Sequence, residues 1–146
     1  MFIRITALQI PSFWDAIKFA SVNAERISEG DRQRYLNNLL IDLLNDKAQC
    51  FIRFSDQKEL LAVVITKLKG DELTGEMSLL IQCLYSFKGV APDEWANDLE
   101  IVKEFAKTKK CSSIITYSGV PRVFDILNGL GFREQFRRFS MEVSNG

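Results

Sequence analysis

The sequence contains no histidine. That absence removes Ser-His-Asp and Cys-His nucleophilic catalysis and every metal site that needs an imidazole. Cysteine is scarce: Cys50, Cys83 and Cys111 are an odd set, and their spacing fits no zinc or redox pattern. Each falls in or at a segment that reads as strand. Buried free thiols in a reducing compartment are therefore expected, and no metal site. Net charge is also missing, because 19 basic residues balance 19 acidic ones. No global field draws the chain to nucleic acid or to an anionic membrane, and neither is expected as a partner. Long apolar runs are absent too. Nothing approaches the roughly 18–20 residues of a transmembrane helix. The opening "MFIRITALQI" has too short an apolar run, with too many polar residues after it, for a signal peptide. A soluble cytoplasmic protein is the expectation.

What the sequence does contain is apolar content and clear periodicity. Its 146 residues are 47% hydrophobic, enough for one folded domain spanning 1–146. Residues 2–8 alternate as a short strand. Ser12 can cap a first helix carrying Phe13, Trp14, Ile17, Ala20, Ala24 and Ile27 at helical spacing. After the break "SEGD", Asp31 can cap a second helix with Tyr35, Leu36, Leu39, Leu40, Leu43 and Leu44 on one face. Strands over 48–54 and 59–68 flank a hairpin loop, and a third strand spans 77–87. A helix from Pro92 to about Lys109 has acidic residues in its first turn and lysines in its last, as the helix dipole favours. A strand over 111–117, a short helix between Gly119 and Gly131, and one or two strands over 132–143 complete the order. The result is a mixed α/β sheet of about six to seven strands flanked by about four helices. The unit 77–117 is long enough for a right-handed crossover between parallel strands.

The stretch "SFKGVAPDEW", 86–95, places Lys88, Gly89, Val90 and Ala91 between a strand and a helix start. One reading is mechanical, a flexible turn before a well-started helix. The other is chemical: the first N–H groups of a helix lack intrahelical partners and favour an anion, which Gly89 lets approach and Lys88 attracts.

The order of elements resembles the GNAT superfamily of N-acetyltransferases over essentially the whole chain. That family carries Q/R-x-x-G-x-G/A at this place, where it binds the pyrophosphate of acetyl-CoA. Here the match is Ser86-Phe87-Lys88-Gly89-Val90-Ala91, in which Gly89 and Ala91 fit and Ser86 departs. A second match lies in "FDILNGLGF", 124–132, where Gly131 and Phe132 fit the family's helix ending. The family's frequent tyrosine, which protonates the leaving thiolate, falls on Leu127, and its polar residue before the last helix falls near Val120. Loosely built chains of this kind and size also occur in bacteriophage genomes.

The resemblance implies acetyl-CoA as cosubstrate and an amine as acceptor, the acceptor itself being unknown. It implies coenzyme contacts from Lys88, Gly89, Val90 and Ala91, and N–H groups between Cys83 and Tyr85 facing the thioester. Catalysis also needs a base and an acid. Glu76, at the start of the third meander strand, reads either as a base acting through water or as a solvated turn residue. Tyr117 and Ser118 read either as replacements for the missing acid or as a half-buried tyrosine and a turn serine. Cys83 as a nucleophile has no histidine to activate it. The alternative function is a GNAT-fold binding or assembly module that has lost catalysis. Lastly, Arg133, Arg137 and Arg138 interleave with Phe132, Phe136 and Phe139. They read as a strand pair with phenylalanines in the core and arginines in solvent, or as a basic aromatic surface.

Overall fold

A computed structural model describes residues 1–25, 27–118 and 121–144. In chain order its elements are β1 (Phe2–Ile5), a 3-10 turn (Ala7–Gln9), α1 (Ile10–Glu25), α2 (Glu29–Leu44), β2 (Ala48–Phe54), β3 (Leu60–Gly70) and β4 (Met77–Ser86). Then follow α3 (Pro92–Thr108), β5 (Ser113–Thr116) and α4 (Pro121–Gly129). The strands form one sheet in sequential order. β1 to β4 are antiparallel neighbours, and β5 joins β4 in parallel through the α3 crossover. An α/β class with a mixed sheet follows, as the element order suggests.

The sheet is apolar on both faces at its centre, which is why β2 and β3 read as nearly unbroken hydrophobic runs. On one face α1 and α2 bury Ile17, Ala20, Leu39 and Leu43 against Cys50, Ile52, Val63, Ile65 and Cys83. On the other, α3 lays Leu99, Val102 and Ala106 over Phe2, Phe51, Val64, Leu79 and Ile81, with Leu130 and Phe132 packed beside them. The leucine stripe of α2 and the apolar face of α3 are thus core. Cys50 and Cys83 are buried, Cys111 is half-buried, and none of the three is in a disulfide. Burial, and then the neighbouring Cys83, push the Cys50 thiol up. Both cysteines register with Ile65, one strand to either side of it. Two strand spacings, about 9.6 Å, are too wide for a disulfide.

Three expectations are corrected. β1 stops at Ile5 rather than continuing to residue 8: the Gln9 side chain accepts the Thr6 N–H at 2.8 Å and turns the backbone into the 3-10 turn. Both following helices begin earlier than their expected caps, at Ile10 and Glu29; Asp31 instead accepts hydrogen bonds from Ser28 and Arg34. No strand forms over 132–143, so the sheet has five strands among the described residues. Phe132 packs on the core, but Phe136 and Phe139 are exposed, and Arg137 pairs with Glu134. The cause is spacing. Phe132, Phe136 and Phe139 stand four and three apart, so no single strand puts all three on one face.

The short helix α4 shows why Gly131 and Phe132 recur at its end. The Phe132 N–H reaches the Leu127 carbonyl and the Gly131 N–H the Asn128 carbonyl, with Gly131 at φ 96°. This is the Schellman arrangement, which needs a left-handed residue at that position. α3 ends the same way through Cys111 to Ala106 and Lys110 to Lys107, but with Lys110 at φ 58°. Gly119 and Val120, named above at the start of the last helix, lie outside the described residues.

Candidate functional site

The site begins with one extra residue in β4. Thr66 pairs with Ile81 and Ile65 with Cys83, so Gln82 is inserted between two registered pairs. The insertion reverses which way the strand's side chains point. Leu79 and Ile81 are buried on the α3 face, whereas Cys83 is buried, and Tyr85 packed, on the α1–α2 face. Gln82 also faces α2, donating its amide N–H to the Tyr35 hydroxyl at 2.9 Å. A bulge bends its strand and increases local twist. Here it falls where β4 and β5 part: their last registered pair is Ile81 with Thr116, whose hydroxyl donates to the Ile81 carbonyl at 3.1 Å. β5 then ends, while β4 continues to Ser86 with no strand on that edge among the described residues. The crevice beyond the carboxyl ends of diverging parallel strands is where open α/β sheets place ligands.

At the end of this free edge lies the loop 87–91. The Phe87 and Lys88 N–H groups are held by the Leu61 carbonyl, and the Ser86 hydroxyl donates to the Lys88 carbonyl. The N–H groups of Gly89, Val90 and Ala91 make no hydrogen bond to any described residue, and Ala91 caps α3 with no side-chain bond. A Cβ on Gly89 would meet nothing within 4 Å. The loop therefore presents N–H donors and open space beside the positive end of a helix of 17 residues. Lys88 is not a free charge, since its ammonium pairs with Glu59 of the β2–β3 hairpin.

The start of α3 is fixed by a group that sequence reading missed. Arg53 of β2 forms two 2.8 Å hydrogen bonds with Asp98, a 3.3 Å ion pair with Glu94 and a bond to the Glu94 carbonyl. The hydrogen bonds that Arg53 donates to Asp98 raise its pKa above its ordinary value, against the opposing effect of burial. The signal was an arginine inside the apolar run "CFIRF". It also changes the charge picture, because Glu94 is compensated by Arg53 whereas Asp93 is exposed beside the loop.

The sequence-predicted residues divide into two groups. Cys83 and Tyr85 lie on β4 past the bulge; Lys88, Gly89, Val90 and Ala91 form the loop; Tyr117 and Ser118 follow the end of β5. These positions follow the point where the β4–β5 pairing ends, although the Cys83 and Tyr85 side chains pack into the α1–α2 core. Tyr117 is half-exposed and leans back along the sheet, where Lys69 donates to its hydroxyl at 3.5 Å and stands 5.5 Å from its ring centroid. Glu76 belongs to the other group. It closes the 71–76 turn through its carbonyl, at the far end of β4. Six residues of strand put it about 20 Å from Gln82. Leu127 is half-buried in α4 and carries no proton to give.

Beside the bulge is a second feature absent from the sequence reading. A cavity of about 220 Å³ is lined by Tyr35, Asn38, Leu39 and Asp42 of α2 with Lys67 of β3 and Gln82 of β4. Lys67 pairs with Asp42 at 3.1 Å. Among the described residues there is no cluster that could hold a metal ion, and no helix long and apolar enough to cross a membrane.

This arrangement is that of the GNAT fold. Over 100% of this chain and 99% of its own, a "probable acetyltransferase" structure superposes with a TM-score of 0.73 at 13% identity. The aminoglycoside 6'-N-acetyltransferase AAC(6')-Ih from Acinetobacter baumannii does so over 100% and 99% with a TM-score of 0.71 at 14% identity. A "predicted acetyltransferase with acetyl-CoA" from Clostridium acetobutylicum covers 97% of this chain and 95% of its own, with a TM-score of 0.76 at 12% identity. No known family profile matches the sequence, and no curated protein does. The likeness is therefore one of fold, held by packing pattern and topology rather than by residue identity.

Proposed function

We propose that the protein is an N-acetyltransferase that takes acetyl from acetyl-CoA to a primary amine. The observation that carries this reading is the β4 bulge at Gln82. It falls where the β4–β5 pairing ends, beyond which, among the described residues, the β4 edge has no strand partner and runs into three N–H groups without a hydrogen bond at a helix start. In this reading the pyrophosphate is received by Gly89, Val90 and Ala91, and the pantetheine arm follows the edge from Gln82 to Ser86. N–H groups near Cys83 to Tyr85 polarise the thioester carbonyl. Holding both reactants in the crevice supplies proximity.

The acceptor nitrogen forms a bond to the acetyl carbon as the carbon–sulfur bond breaks. One proton leaves the nitrogen and one is taken up by sulfur. Tyr117 is the group we assign to the second transfer, once its ring, which rests toward Lys69, turns into the crevice; in that position its phenol proton can pass to sulfur. Ser118 follows it as an alternative donor. Glu76, at the far end of β4, is given no part in this reading.

A second reading keeps the fold and drops the chemistry. Leu127, at the position of the family's acid, favours a binding module. Acetyl-CoA binding and turnover separate the two. Binding of the native state alone at 100 times Kd adds about 2.7 kcal/mol of stability, visible as a raised melting temperature. Gly89→Asp should abolish that rise without unfolding the protein, since the new side chain meets open space. Binding unchanged in Gly89→Asp removes the loop from the site. Binding without turnover, in wild type and in Leu127→Tyr alike, gives the case to the module.

A further inference from the structure

The cavity beside the bulge is chemically distinct from the anion-receiving loop, and nothing above uses it. Its lining combines one carboxylate, one ammonium and neutral hydrogen-bonding groups: Asp42, Lys67, Tyr35, Asn38 and Gln82, over Leu39. It shares Gln82 with the crevice, so whatever fills it lies next to the strand edge assigned to the thioester.

Three features restrict the occupant. The first is size. A volume of about 220 Å³ lies below the roughly 300–1,000 Å³ of sites for drug-sized ligands. At about 30 Å³ for each water displaced, it holds on the order of seven non-hydrogen groups. A sugar-based polyamine would have to leave most of its bulk outside it.

The second feature is charge. Asp42 and Lys67 cancel, and they already pair with each other. A polycation would meet the Lys67 ammonium along with Asp42 and gain no net attraction from the pair, whereas a zwitterion can place one charge against each partner. The third is open hydrogen-bonding capacity. Lys67 gives one contact to Asp42 and has three donors. The Gln82 amide donates to Tyr35, but its oxygen accepts nothing from a described residue. The second oxygen of Asp42 is in the same position.

The lateral order follows from the register. Lys67 faces Leu80, two residues before Gln82. A carboxylate on Lys67 thus stands about one strand repeat, 6–7 Å, from the bulge. That separation suits an amino acid whose amine reaches Gln82 and the crevice.

We infer that this cavity is the acceptor subsite, and that the acceptor is a small amino acid with its carboxylate on Lys67 and its amine on Gln82. The inference rests on the transferase reading for the chemistry but not for the binding. Two measurements therefore keep them apart. Acetyl-CoA binding by calorimetry tests the transferase reading alone. Titration of ¹⁵N-labelled protein with glycine, alanine and threonine, followed at the Asn38 and Gln82 side-chain amides, tests the subsite alone.

The amino acids should shift both amide signals, whereas ethylamine and spermidine, which lack a carboxylate, should not. Lys67→Met should raise Kd at least about tenfold, the value of one charge-assisted hydrogen bond, and Lys67→Arg should restore most of it. In turnover, the same change should appear in KM for carboxylated acceptors. Equal shifts from spermidine, or Lys67→Met binding as wild type does, would overturn the assignment even if acetyl-CoA binds. So would preferential acetylation of an aminoglycoside such as kanamycin.

Discussion

Removing the Asp98 carboxylate should be among the most damaging single changes in the protein. Its side chain is 4% exposed and that of Arg53 14%. Asp98→Ala deletes both 2.8 Å hydrogen bonds and leaves the guanidinium buried with Glu94, at 3.3 Å, as its remaining partner. Breaking a buried pair typically costs about 3–5 kcal/mol because one charge is left uncompensated. The Glu94 contact places this case near the low end, about 3 kcal/mol. For a chain of 146 residues that is a fall in melting temperature of about 10 °C. Asp98→Asn keeps one acceptor and should lose about 2 kcal/mol.

The decisive variant is the double one, Arg53→Met with Asp98→Leu. It removes the pair and its desolvation cost together, and should come within about 1 kcal/mol of wild type. Urea unfolding of wild type, Arg53→Met, Asp98→Leu and the double variant gives the coupling, and hydrogen exchange over 91–98 shows whether the helix start is what loosens. A loss under about 1 kcal/mol in Asp98→Ala would refute the argument, as would single-site losses that simply add in the double variant.

Asp93 is exposed at the anion-receiving helix start, so Asp93→Asn should tighten acetyl-CoA binding about fivefold at 0.15 M salt, roughly 1 kcal/mol of repulsion left after screening; calorimetry in low and high salt checks it, and the gain should shrink as salt rises. Lys110 ends α3 in the left-handed region, so Lys110→Gly should stabilise by about 0.5–1 kcal/mol in urea unfolding, a gain reduced by the greater freedom of glycine in the unfolded chain. The Thr74 and Leu73 N–H groups hold the Asp71 carboxyl below its ordinary value. Its contribution is therefore present above the unfolded pKa of 3.8 and fades as pH falls through the lower folded value. An NMR pH titration should show the Leu73 and Thr74 amides shifting together only in that acid range, and Asp71→Asn should remove the transition.

The parts of the fold legible in the sequence are those with one buried face. α2 and α3 show leucine, valine and alanine at helical spacing because each meets the sheet along a single stripe. The hairpins are legible because polar, glycine-containing segments separate apolar runs, as in "KGDELTGE". The C-terminal residues failed for a related reason. "REQFRRFSMEV" contains strand-forming residues, but a strand also needs an edge and a consistent inward face. Its aromatic spacing supplies the second only from Phe139 through Met141 to Val143, all three exposed.

The candidate site was half legible. The loop could be read because glycine and proline mark a turn and a helix start locally. The bulge could not. Leu79, Ile81, Cys83 and Tyr85 alternate without a break, so the sequence reads as one apolar face from end to end. In the sheet the first two face α3 and the last two face α1 and α2. Both faces of β4 are apolar, so alternation carries no record of which face is which, and an inserted residue leaves no trace in it. The only mark is polar: a lone glutamine in "LLIQCLY". That insertion also links the two halves of the site. It falls where the β4–β5 pairing ends, and by turning Gln82 toward α2 it brings a side-chain amide into the neighbouring cavity. Coenzyme edge and acceptor subsite would then be set by the same residue, so that Gln82→Leu should disturb acceptor binding while the loop at Gly89 keeps its own donors.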